Sequence, residues 1–301
     1  MITCRQSLAA AAALAALRVA GPAAAQEKIK VVATFSILGD LVKNVGGDRV
    51  ELATLVGPNG DAHVYSPTPA DAKTLAAAKV IFANGLGFEG WIERLVKASG
   101  TKATRVVTST GIKQRKMEDD EHPGRTQTDP HAWQSVANAK IYVANIRNAL
   151  ALADPAGKDA YARNAADYLK KLDALEAEVK AAVAAIPSAR RRIITSHDAF
   201  GYFQAAYGIA FIAPQGVSTE SEPSAADVAK IITQIRREKI PAVFLENVTD
   251  SRLLKRIAEE GGAKIGGTLF SDALTDEKGS APSYIDLMRH NVKQLAAALT
   301  S

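Results

Sequence analysis

The chain has 301 residues, more than one hydrophobic core usually serves, so two lobes are expected. Its 37 basic residues exceed its 32 acidic ones by only five, and the basic runs 190–192 and 236–239 adjoin apolar segments without interleaved aromatics, which leaves no nucleic-acid surface expected. The single cysteine, Cys4, precedes the first apolar run, so disulfides and thiolate metal sites are excluded from the mature chain.

At the N-terminus, Arg5 leads into an apolar run over 8–17, followed by Gly21-Pro22 and Ala23-Ala24-Ala25. This is the pattern of a secretory signal peptide over 1–25, with cleavage after Ala25. The run is too short to span a membrane as a stable helix, and Cys4 lies on the wrong side of it for a lipid anchor. An exported, monomeric chain with no membrane span and a net charge of +3 is expected, because cleavage removes Arg5 and Arg18.

The first lobe, 26–153, opens with an apolar strand over 29–35, then a helix to Val45 closed by Gly46-Gly47. A strand over 50–56 ends in Gly57-Pro58-Asn59-Gly60, which delivers Asp61, Ala62 and His63 at its carboxyl end. A helix over 69–78, a strand over 80–83, a helix over 91–98 and a strand over 104–107 follow. The polar stretch 117–124, with four consecutive acids and His122, reads as a mobile loop. It leads to Asp129-Pro130-His131-Ala132-Trp133 and a helix over 136–152.

The segment 154–187 reads as one long helix, with Tyr161, Ala165, Tyr168, Leu172, Leu175, Val179, Val183 and Ile186 at alternating steps of three and four. Flanked by strand and helix patterns, it is expected to be a rigid strut between lobes rather than a coiled coil. The second lobe, 188–301, repeats the logic. A strand over 193–195 runs into Ser196-His197-Asp198-Ala199-Phe200, then a helix to Tyr207 and a strand over 209–212. A helix through Arg237 capped by Ser224, a strand over 242–246, a helix from Ser251, a strand over 264–269 and a last helix from Ser283 complete it. The order implies an α/β fold with two parallel-rich sheets flanked by helices, whose ligands sit beyond the carboxyl ends of the strands.

Four residues stand at such ends. His63 and His131 come from the first lobe, His197 and Asp272 from the second, in a chain with only five histidines. Three imidazoles and one carboxylate complete a tetrahedron around a zinc-type ion, and these can meet only if the lobes face each other across a cleft. Each imidazole must be neutral to bind, so affinity is expected to fall steeply between about pH 6 and 5.

These motifs, Gly60-Asp61-Ala62-His63, Asp129-Pro130-His131-Ala132-Trp133, Thr195-Ser196-His197-Asp198-Ala199-Phe200 and Ser271-Asp272-Ala273-Leu274, give the chain its family likeness. It resembles the periplasmic zinc and manganese solute-binding proteins of bacterial ABC importers, the ZnuA/TroA-like family of cluster A-I. The resemblance implies high-affinity binding of a divalent metal in the periplasm and delivery to an inner-membrane permease with its ATPase. The linking helix is continuous and has no loop hinge, so small lobe rotations and loop rearrangement are expected rather than wide closure. Phe88-Glu89-Gly90-Trp91 and the segment 220–224 resemble the family too, and read as helix starts with packing roles.

His197 favours Zn²⁺ as the cargo, since manganese members usually carry a carboxylate at that position; the absence of a long histidine-rich loop keeps Mn²⁺ as the alternative. A secreted metal-dependent hydrolase uses the same residue types. It would leave one position open for water beside a general base, and neither a His-Glu-x-x-His helix nor a glycine-rich phosphate loop is present. The chain is therefore not expected to be an enzyme.

Overall fold

The computed structural model describes residues 27–118, 126–220 and 222–300. The signal segment and His122 lie outside the described residues.

Two four-stranded parallel sheets carry the fold. The first contains β1 (Ile29–Phe35), β2 (Val50–Val56), β3 (Val80–Ala83) and β4 (Thr104–Val107), in the order β2-β1-β3-β4. Its helices are α1 (Ser36–Gly46), α2 (Pro69–Ala77), α3 (Ile92–Ser99) and α4 (Val136–Ala153). β1 runs through the middle, with Val31, Val32, Ala33 and Phe35 all buried, because helices cover both of its faces. α2 starts where Thr68 and Asp71 form a reciprocal capping box just before Pro69.

A short antiparallel ribbon follows. β5 (Lys116–Glu118) pairs with β6 (Thr126–Thr128), so the start of the stretch read as a loop is a strand. Three-residue strands are too short to display the alternation by which strands are read.

α5 (Lys158–Ala184) is the linking helix, about 40 Å long at 1.5 Å per residue. Pro155–Gly157 forms a separate 3₁₀ turn before it, and the helix stops before Ile186, whose α conformation Pro187 would disfavour. The seven residues of its buried stripe are those of the predicted seam, from Tyr161 to Val183. Its start is fastened to the first lobe by Asp154, which accepts hydrogen bonds from Arg49 (2.7 Å) and the Tyr161 hydroxyl (2.7 Å). Further along, Glu178 takes both Arg289 Nε and Nη2 of the last helix, at 2.7 and 2.8 Å.

The second sheet contains β7 (Arg192–Ile194), β8 (Ala210–Ile212), β9 (Ala242–Glu246) and β10 (Lys264–Leu269), ordered β10-β9-β7-β8. α6 (Gly201–Tyr207), α7 (Ala225–Glu238), α8 (Ser251–Gly261) and α9 (Tyr284–Thr300) flank it. Ser224 caps α7 by accepting the Asp227 amide hydrogen, as predicted. One hydrophobic core runs from the first sheet through α4 and α5 to Phe244 and α9 of the second lobe. A smaller core lies between the second sheet and α7 and α8. No helix among the described residues is long and apolar enough to cross a membrane.

Candidate metal centre

The four predicted residues meet. One ligating atom from each of His63, His131, His197 and Asp272 can be chosen so that all lie within 4.8 Å of one another. They reach this point from separate elements. His63 follows β2 through the 57–60 turn, His131 stands three residues beyond β6, His197 three beyond β7, and Asp272 three beyond β10. In the second sheet the chain leaves β7 for β8 on one side and returns to β9 on the other, so His197 sits at the topological switch point.

Asp272 is the centre of the cluster. Its Oδ2 lies 3.0 Å from His197 Nε2 and 3.4 Å from His63 Nε2, and its Oδ1 lies 3.6 Å from His131 Nε2. His63 Nε2 and His131 Nε2 are 3.2 Å apart. Tetrahedral zinc with bonds of about 2.0–2.1 Å spaces its ligands roughly 3.3 Å from each other, which these separations match. Asp272 Oδ1 is buried without a hydrogen-bond partner in the protein, an arrangement that is costly unless a cation satisfies it. His131, His197 and Asp272 are fully buried, and His63 alone is exposed at all, at 9%.

Carboxylates behind two of the histidines orient their rings. His131 Nδ1 lies 3.0 Å from Asp129 Oδ1, and His197 Nδ1 lies 2.7 Å from Glu246 Oε2, the latter an ion-pair contact off the hydrogen-bonding angle. Each contact turns its ring so that Nε2 faces the cluster. Glu246 ends β9 and also accepts the amide hydrogens of Ser196 (2.7 Å) and His197 (3.0 Å), so it fixes backbone and ring together.

The ionisable groups of the cluster act strongly on one another. Burial opposes ionisation of Asp272, but His131 and His197 overcome it and hold this carboxyl well below its usual range. Burial likewise pulls His197 down, yet Glu246 and Asp272 outweigh it and hold that imidazole well above its usual range. For His63 burial wins, lowering its pKa against the pull of Asp272.

Aromatic rings close the remaining side. Phe88 stands edge-on to His63 at 4.7 Å and to Trp133 at 4.8 Å, and Trp133 lies 5.4 Å from His131. Trp133 Nε1 and Gln134 Nε2 both donate to the Ser271 carbonyl, at 2.9 and 2.7 Å, so the first lobe grips the loop that carries Asp272. Glu89 folds the loop behind Phe88 by accepting from the Thr34 hydroxyl (2.6 Å) and the amides of Asn84 (2.7 Å) and Gly85 (3.1 Å). The motif read as a helix start thus builds a wall of the site. Glu246 escaped the sequence reading altogether, its only signal being a carboxylate at the end of an apolar strand.

Residues 31–298 match the family described as zinc-uptake complex component A, periplasmic. The chain belongs to this family. The iron-binding protein YfeA of Yersinia pestis is 36% identical over 282 residues, covering 94% of this chain and 90% of the relative. The manganese ABC transporter substrate-binding lipoprotein PsaA of Streptococcus pneumoniae is 34% identical over 279 residues, 91% of this chain and 89% of its own. Among solved structures, the periplasmic zinc-binding protein TroA of Treponema pallidum superposes with a TM-score of 0.84 at 32% identity, covering 90% of this chain and 99% of that one. Members of the family are two-lobed extracytoplasmic solute-binding components of ABC importers for metals, so the chain is a binding protein and not an enzyme.

Proposed function

We propose that the protein captures Zn²⁺ with His63, His131, His197 and Asp272 and delivers it to an inner-membrane ABC permease with its ATPase. The observation that carries this reading is the donor set: three imidazoles and one carboxylate whose ligating atoms lie within 4.8 Å of one another, with Asp272 Oδ1 lacking a hydrogen-bond partner. Imidazole suits zinc, while manganese is better served by more oxygen donors. On this reading the signal peptide, 1–25, sends a monomer to the periplasm. The first lobe (26–153) and second lobe (188–301) contribute two ligands each, across a cleft spanned by the linking helix (154–187).

A manganese reading draws on two observations. Asp272 can present both oxygens to an ion, and PsaA is named for manganese. The two readings are separated by elemental analysis of the purified protein followed by a zinc and manganese competition titration. Zinc should be retained on purification and should displace manganese. Preferential retention of manganese or iron would refute the zinc assignment.

A further inference from the structure

His63 is the one ligand of the cluster that is not fully enclosed, and two cavities flank the turn that carries it. One, of 590 Å³, is lined by Asp61, Val64, Ser196 and Thr219 among others; the second, of 770 Å³, is lined by His63, Val64, Phe88, Val217 and Ser218 among others. Side-chain hydrogen bonds join the lobes beside this turn, the Asn247 amide donating to Asn59 Oδ1 at 3.2 Å among them. The Thr219 hydroxyl donates to Asp61 Oδ2 at 2.6 Å, while Asp61 Oδ1 accepts the His63 amide hydrogen at 2.8 Å. Asp61 therefore holds the backbone of a first-lobe ligand with one oxygen and the second lobe with the other.

The segment bearing Thr219 is itself anchored beside His197. Gln215 forms a parallel bridge with His197, and the Asp198 amide donates to the Gly216 carbonyl at 3.0 Å. The base of the His63 turn is also tied across the cleft, the Asn59 amide donating to the Leu274 carbonyl at 2.8 Å. That bond and the Trp91 indole bond to the Ala62 carbonyl (2.8 Å) remain when Thr219 lets go. The turn is thus fixed at its base and clasped at its tip.

We propose that Asp61 is a positioning residue for His63 and that the Asp61–Thr219 hydrogen bond governs how fast metal passes between solvent and the buried cluster. With the bond made, His63 is held against Asp272. With it broken, His63 can swing with its turn. This inference rests on the metal-centre reading above. A clasp of this kind changes uptake and release together, whereas damage to the ligand set changes affinity.

The test compares the parent with Thr219→Val, which keeps the shape without the hydroxyl, and Thr219→Ser, which restores it. Zinc-loaded proteins are mixed with a fluorescent chelator by stopped flow, uptake is followed in the reverse direction, and affinity is measured by competition. Thr219→Val should release zinc about tenfold faster, the lower end of what one hydrogen bond to a charged group is worth. Uptake should quicken by a similar factor, leaving affinity nearly unchanged, and Thr219→Ser should behave as the parent does. Parental rates in Thr219→Val, or equal acceleration in Thr219→Ser, would overturn the clasp. A parent that holds no zinc would overturn the metal centre instead. In that case hydrogen exchange at the His63 amide decides the clasp: it should quicken in Thr219→Val and not in Thr219→Ser, and unchanged exchange would refute it.

Discussion

Glu246 Oε2 sits 2.7 Å from His197 Nδ1, on the side of the ring away from the Nε2 that faces Asp272. A carboxylate there keeps the proton on Nδ1 and makes Nε2 a better donor to metal. Glu246→Gln offers an amide that can donate to Nδ1 and push the proton onto Nε2. We expect it to weaken zinc binding by about 10- to 100-fold with the fold intact, as measured by chelator competition alongside circular dichroism. Asp129→Asn should act in the same direction through His131. Parental affinity in both variants would mean that the carboxylates do not orient the rings.

The pH dependence differs from what three ordinary imidazoles would give. Reference values near 6.5 place one steep loss of affinity between about pH 6 and 5. In the protein, Glu246 and Asp272 raise His197 despite its burial, while burial lowers His63. His197 therefore carries a proton at neutral pH in the metal-free protein and must lose it to bind, whereas His63 is already neutral. The protons released per zinc bound near pH 7 should include the one on His197, affinity should climb as pH rises through neutrality, and His63 should compete only in more acid solution. Calorimetry in buffers of different ionisation enthalpy measures this count. Zinc uptake without proton release at pH 7 would contradict the assignment.

Replacing His197 tests the choice of metal. His197→Glu turns the donor set into two imidazoles and two carboxylates, so the preference for zinc over manganese should narrow. The new carboxylate would also face Glu246 and Asp272 in a fully buried site, where like charges repel. The metal-free variant should melt lower than the parent and gain more stability when metal is added. His197→Ala should lose zinc affinity outright. Competition titrations and melting curves with and without metal read these outcomes, and an unchanged preference in His197→Glu would remove His197 from the site.

The linking helix limits how far the lobes can move. α5 is continuous, and the core it serves extends into both lobes, so wide closure would have to break packing around Leu172 and Leu175. X-ray scattering should give the same radius of gyration with and without zinc. A clear contraction on adding metal would show that the strut bends.

Much of this was legible in the sequence because the signals were local. The Tyr161 to Val183 stripe repeats at helical spacing, and the buried strands β1 and β3 read as apolar runs. The candidate ligands stood out because histidine is scarce here and each of them follows a strand or a turn. What escaped depends on partners far along the chain. Glu246 acquires its role from His197, 49 residues away, and Asp61 meets Thr219 at a separation of 158. The loop that turns Phe88 toward His63 is tied by Glu89 to Thr34, 55 residues away, as well as to the nearby amides of Asn84 and Gly85. No periodicity encodes such pairings.

We expect these four side chains alone to hold one zinc ion, and a crystal structure of the zinc-loaded protein with anomalous data at the zinc edge would show it. We expect a single anomalous peak bonded to Nε2 of His63, His131 and His197 and to Asp272 at about 2.0–2.1 Å, with no water completing the coordination. A zinc ion that lies elsewhere, or one that lacks His197 and carries a water in its place, would contradict the account.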